Sequence, residues 1–88
     1  MALVLFGTEA CHLCELAQTV LMECAASIPC DVFLEDISES EALVDRYGSR
    51  IPVLLHEESQ RELQWPFTHD DLLEFIRPIV AVSPTDSE

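Results

Sequence analysis

An α/β domain built on a mixed sheet is the fold class these 88 residues predict, and three observations predict it. An apolar run closed by glycine, "ALVLFG" at Ala2 to Gly7, is followed by residues whose apolar positions recur every three or four. Those are the marks of a buried strand and then a helix. A second strand-like run, "CDVFLEDI" at Cys30 to Ile37, comes after that helix. Later, "IPVLLH" and "RELQW" flank the polar turn "EESQ" and read as a hairpin. Strand–helix–strand units give parallel neighbours with a right-handed crossover, and a hairpin adds an antiparallel pair. The order is β-α-β-α-β-β-α, a four-stranded sheet flanked by three helices on both faces, expected over residues 1–80, with a flexible acidic tail over 81–88.

Each element has its own signal. In the first helix Leu13, Leu16, Ala17, Val20, Leu21 and Cys24 are expected on one face, with Glu15, Gln18 and Glu23 opposite, and Pro29 marks the break. The second strand alternates and is rich in β-branched and aromatic residues. Ser38 with Glu41 three positions on has capping-box spacing, which predicts a short helix over Glu39 to Tyr47 with Gly48 as its stop. Pro52 sets the start of the third strand. Thr68 and Asp71 repeat the capping-box spacing ahead of Leu72, Leu73 and Ile76, and Pro78 is expected to end that third helix. A chain this short buries a modest share of its surface, so every apolar segment is expected to face one core.

Charge narrows the partners. Seventeen acids stand against four arginines, with no lysine, for a formal net charge of −13. Nucleic acid and anionic membrane surfaces call for a basic footprint, so the charge argues against both and favours a neutral or basic partner, with a self-repelling soluble surface as the plain alternative. No run approaches the ~20 apolar residues of a membrane span, and "MALVLF" lacks the basic flank of a secretion signal. A cytoplasmic, reducing setting is expected, where thiols serve catalysis or metal binding more often than structure.

The chemistry centres on "CHLC", Cys11 to Cys14. Three uses fit a lone C-x-x-C: a redox pair, half of a metal site, or two small hydrophobes. Position separates them. Cys11 opens the first helix, where unpaired N–H groups and the positive end of the dipole favour thiolate, and such cysteines have pKa values of ~3.5–7.5. Cys14 lies one turn on, close enough for a disulfide without backbone movement. Cys11 is therefore the candidate nucleophile and Cys14 the resolving thiol. His12 can bring positive charge or a hydrogen bond to the sulfurs, whereas Glu9 and Glu15 oppose the thiolate.

With "RIPVLL" some forty residues after it, "CHLC" resembles the thioredoxin fold and, within it, the small glutaredoxin-like proteins, over Ala2 to about Ile79. The resemblance implies a thiol–disulfide oxidoreductase acting on a protein or small-molecule disulfide or thiol. It also implies a cis Ile51–Pro52 bond, Pro52 packed on the Cys11–Cys14 disulfide, and Ile51 backbone free to pair with an extended substrate. Leu13 and Trp65 complete the expected substrate-binding set. Three departures count against glutathione: His12-Leu13 inside the motif, Thr8-Glu9-Ala10 where a basic residue is usual, and "WPFTHDD" in place of a glycine turn. The charge of −13 also repels that anion. No resident cofactor is expected, and a monomer is.

Four cysteines spaced C-x2-C-x9-C-x5-C also invite a zinc reading. Cys24 lies about ten residues along the helix from Cys14, ~15 Å at the helical rise, so one ion cannot touch both. Cys24 then reads as a small buried hydrophobe, and Cys30 as a partly exposed thiol. Zinc on Cys11, Cys14 and His12 is one remaining metal alternative, and the glutaredoxin resemblance adds a subunit-bridging iron–sulfur cluster as a second; no metal site is expected. His56 reads as a strand end and His69 as a helix first turn. A second class stays open beside the enzyme: a non-catalytic binding module on the same fold, using its acidic and aromatic surface.

Overall fold

The computed structural model describes residues 2–81. Its elements are β1 (Ala2–Gly7), α1 (His12–Glu23), β2 (Asp31–Asp36), α2 (Glu41–Tyr47), β3 (Val53–His56), β4 (Arg61–Gln64) and α3 (His69–Ala81). The predicted tail, from 82 onward, lies outside the described residues. The sheet runs β2-β1-β3-β4. β1 and β2 are parallel, from Ala2 opposite Asp31 to Gly7 opposite Asp36. β3 is antiparallel to β1, with Phe6 opposite Val53, and β4 is antiparallel to β3, with Val53 opposite Gln64.

Side chains of a strand alternate between faces, and β1 uses both. Leu3 and Leu5 join Leu54 under α1 and α3, against Ala17, Leu21 and Leu72. Val4 and Phe6 join Val53 and Leu55 on the other face, against Ile37 and Tyr47. The single core expected from chain length is therefore two, one on each side of the sheet. Each fully buried aliphatic or aromatic side chain contributes roughly 1.5–3 kcal/mol, so the sheet is held from both faces.

The helices depart from their sequence patterns at identifiable places. In α1 the buried face is Cys14, Ala17, Leu21 and Cys24, while Leu13 and Leu16 are 46% and 41% exposed. The helix is rolled so that Cys14, rather than Leu13 or Leu16, is buried beside Ala17 and Leu21. Ser38 does not cap α2. Its N–H and hydroxyl both donate to Asp36 Oδ1, at 2.9 and 2.7 Å, closing a 3-10 turn over Ile37–Glu39 that buries Ile37. Ser40 is the cap instead, accepting from the Leu43 N–H at 3.3 Å, so α2 starts at Glu41.

α3 runs past Pro78 to Ala81. Proline inside a helix costs about 3 kcal/mol or more through a lost N–H and a ring clash. The extra turn carries Ile79, only 3% exposed, and its burial offsets much of that cost. At the other end the capping box forms in both directions: Thr68 Oγ1 accepts from the Asp71 N–H at 3.1 Å, and Asp71 Oδ2 accepts from the Thr68 N–H at 3.0 Å. Asp71→Ala removes one arm of it, and urea unfolding should show a loss of about 1 kcal/mol.

Candidate functional site: a disulfide at a helix start

Cys11 is the N-cap of α1, with extended backbone at φ −104° and ψ 104°. Its Sγ accepts the otherwise unpaired Cys14 N–H at 3.0 Å. The two sulfurs are bonded, with Cα atoms 5.1 Å apart. Exposure divides the pair: Cys11 is half-buried, while Cys14 is 3% exposed. Cys11 is the more exposed of the two.

Gly7 makes the buried position available. A Cβ placed on it would lie 2.8 Å from Cys14 Sγ and 3.2 Å from Cys14 Cβ. The end of β1 is thus the floor against which Cys14 packs. Sequence reading marked Gly7 only as the end of a strand. Nothing in local pattern says that a helix side chain will come down on it.

His12 and Leu13, between the cysteines, face solvent. The His12 side chain is 79% exposed, with Nδ1 3.9 Å from Glu15 Oε1. Across the sheet the Ile51–Pro52 peptide is cis. Pro52 is buried, and carrying the Phe6–Val53 register on by one residue sets it alongside Gly7. The Pro52 carbonyl accepts from the Trp65 N–H at 3.2 Å. Trp65 is half-buried and meets the buried Phe67 edge-on at 5.1 Å. A second cis peptide, Trp65–Pro66, was not anticipated from sequence. The fold therefore gathers Cys11, Cys14, Ile51, Pro52 and Trp65 at one end of the sheet.

This arrangement has relatives. The family model for the glutaredoxin-like domain (DUF836) matches residues 2–77. The chain belongs to that family. The X-ray structure of the structural-genomics target protein XcR50 from X. campestris is 33% identical, with a TM-score of 0.74, over 93% of this chain and 99% of that one. Its solution structure gives 36% identity and a TM-score of 0.67 over 96% and 97%. Thioredoxin 1 of Thermosipho africanus TCF52B, 14% identical with a TM-score of 0.69 over 94% and 98%, shares the fold. No match was found among the curated proteins. A thioredoxin fold, a glutaredoxin-like sequence and a Cys11–Cys14 disulfide together support a redox-type role. Among the described residues no helix is long and apolar enough to cross a membrane.

In this glutaredoxin-like domain one residue ties the two halves of the site together. Tyr47 stacks on Phe6, centroids 4.4 Å apart, directly before Gly7. Its carbonyl accepts from the N–H groups of Arg50 and Ile51 at 2.7 and 3.0 Å, so the Ile51 N–H is already engaged. Its hydroxyl donates to Glu62 at 2.9 Å, and Arg50 reaches the other Glu62 oxygen at 3.2 Å. Arg46 and Arg50 lie over the ring, 5.4 and 5.1 Å from its centroid.

Burial pushes the Tyr47 hydroxyl above its ordinary pKa, and the Glu62 hydrogen bond adds to this. A raised acid favours the folded state while protonated. That stability is whole below the ordinary tyrosine value of about 10 and is lost as pH climbs through the raised one. The urea midpoint should fall above pH about 10 in the native chain and fall less in Tyr47→Phe.

The other thiols stand apart. Burial pushes Cys24 up, with Glu23 adding, and burial also pushes Cys30 up, with Asp31 and Glu58 adding. Raised thiols are weak nucleophiles near neutrality. His56 is buried with Nδ1 2.7 Å from Ser59 Oγ, and His69 pairs with Glu23; neither belongs to the Cys11 end of the sheet. Among the described residues no three His, Cys, Asp or Glu side chains are grouped to hold a metal ion.

Proposed function

We propose that this chain is a thiol–disulfide oxidoreductase in which Cys11 attacks and Cys14 resolves. The observation that carries it is the division of the pair: an accessible sulfur at the helix start and a shielded one seated on Gly7. In the reduced protein the Cys11 thiolate attacks one sulfur of a substrate disulfide, forming a mixed disulfide and expelling the first substrate thiolate. The Cys14 thiolate then attacks Cys11 Sγ, forming the intramolecular disulfide and expelling the second. Two electrons pass to the substrate, and two protons complete its thiols. The Cys14 N–H at Cys11 Sγ and the α1 dipole both favour the attacking thiolate.

Ile51, Pro52 and Trp65 would form the substrate shelf on the β3 side, with Leu13 covering it from α1. Since the Ile51 N–H serves Tyr47, that residue has its carbonyl, not its N–H, to offer an extended substrate. His12, paired with Glu15 in the open, would act on the sulfurs as a nearby charge. The substrate is a protein or small-molecule disulfide, the domain works as a monomer in the reducing cytoplasm, and any reductant is a thiol system other than one demanding a glycine turn at "WPFTHDD". Stepped thiol–disulfide buffers, alkylation and peptide mapping test this. A two-electron transition confined to Cys11 and Cys14 is expected, with a midpoint between about −270 and −120 mV. Failure of these two thiols to pair, or pairing through Cys24 or Cys30, would overturn it.

A further inference from the structure

We infer that the flank of the site between α1 and the open edge of β2 is a docking groove for an extended, positively charged polypeptide segment with apolar anchors. The inference deepens the oxidoreductase reading and rests on it for one end of the groove, which opens on Cys14. β2 has a neighbour on one side only. It leaves Leu34, which lines the α1 side, 59% exposed, and Met22 of α1 nearby is 75% exposed. Between helix and strand lies a cleft of about 320 Å³ floored by Leu21, Ile28, Val32 and Leu34. A second cleft, about 270 Å³, shares Gln18 and Leu34 with it and continues to Gly7 and Cys14. The two make one path from the disulfide along the strand edge.

The lining specifies the occupant. Glu9, Glu35 and Asp36 line the second cleft, and Asp31 opens β2 at the far end. No arginine is there to balance them. Arg46 and Arg50 are held at Glu62, Arg61 donates to the Phe75 carbonyl, and Arg77 pairs with Glu74. An acidic rim with no arginine beside it selects lysine or arginine, an aliphatic floor selects apolar side chains, and an unpaired strand edge selects extended backbone. Six residues of β2 span roughly 20 Å, the reach of a six-residue strand. A second copy fits poorly, because it would bring another −13 and the same acids to the same edge.

The test uses the full chain and cysteine-free ten-residue peptides alternating valine with lysine, valine with glutamate, and glycine with lysine. Amide shifts report where each binds, and fluorescence anisotropy of labelled peptides reports how tightly. The valine–lysine peptide should move β2 and α1 amides, weaken with added salt, and bind at least tenfold tighter than the other two. Leu34→Lys and Glu35→Lys, both at exposed positions, should each weaken it about tenfold while leaving the circular dichroism unchanged. Equal binding of the glycine–lysine peptide, shifts confined to Ile51 and Trp65, indifference to Leu34→Lys, or a dimer in sedimentation that protects β2 would each overturn the groove. Because these peptides carry no sulfur, they separate it from the redox reading. A Cys11–Cys14 midpoint in range with no peptide binding removes the groove alone, and binding without a redox transition removes the enzyme alone.

Discussion

Cys11→Ser should abolish disulfide exchange. With an aromatic disulfide whose released thiolate absorbs visible light, the rate should fall at least about 10³-fold, since the variant has no nucleophile rather than a slower one. Cys14→Ser behaves differently: the first attack survives, no thiol resolves the adduct, and a one-to-one mixed disulfide accumulates that intact mass reveals. The asymmetry follows from exposure, because Cys11 is reachable and Cys14 lies against β1. If Cys11→Ser kept its exchange activity, or if Cys11 and Cys14 proved interchangeable, attack from the helix start would be wrong. Cys24→Ala supplies the control. Its thiol is buried and pushed up, so exchange should persist while stability falls, as expected when a core group is removed.

The parts of this site legible in sequence are those written in local chemistry. A C-x-x-C at a strand-to-helix junction and an Ile-Pro before an apolar run can be read directly, because helix starts and prolines act on their own neighbours. The parts that were not legible depend on where elements land. Leu13 and Leu16 looked buried because their spacing puts them on one helical face, yet α1 turns Cys14 onto Gly7 instead. That contact joins residues from two elements. Ser38 and Ser40 compete to cap α2, and the capping-box spacing favours Ser38. Asp36 takes both hydrogen bonds of Ser38, which spacing alone does not weigh. Periodicity identified β2 as a strand but not as the sheet edge, where Phe33 and Leu34 are left exposed. Tyr47 is the largest omission. Before a glycine it reads as a helix end, and its stacking on Phe6 and grip on Ile51 exist only once β1, α2 and β3 are assembled.

Gly7→Val should damage the fold and the redox pair together, in a predictable ratio. Its Cβ would stand 2.8 Å from Cys14 Sγ, inside van der Waals contact, and valine adds two methyl groups beyond it. Overpacking of this kind costs typically 1–3 kcal/mol. Relief is available only to the reduced protein, where the Cys14 side chain is free to turn. In the oxidised protein Sγ is tethered to Cys11 and cannot leave. The oxidised form should therefore lose more stability than the reduced one, and the midpoint potential should move upward by ~30 mV for each ~1.4 kcal/mol of that difference. Urea unfolding of both forms, with the potential measured on the same preparation, closes a cycle in which the two stability losses must account for the shift. Equal losses in the two forms with no change in potential would mean that Cys14 does not depend on Gly7 for its seat. Gly7→Ala should show the same sign with a smaller size, since it introduces the Cβ contact without the methyl groups beyond it.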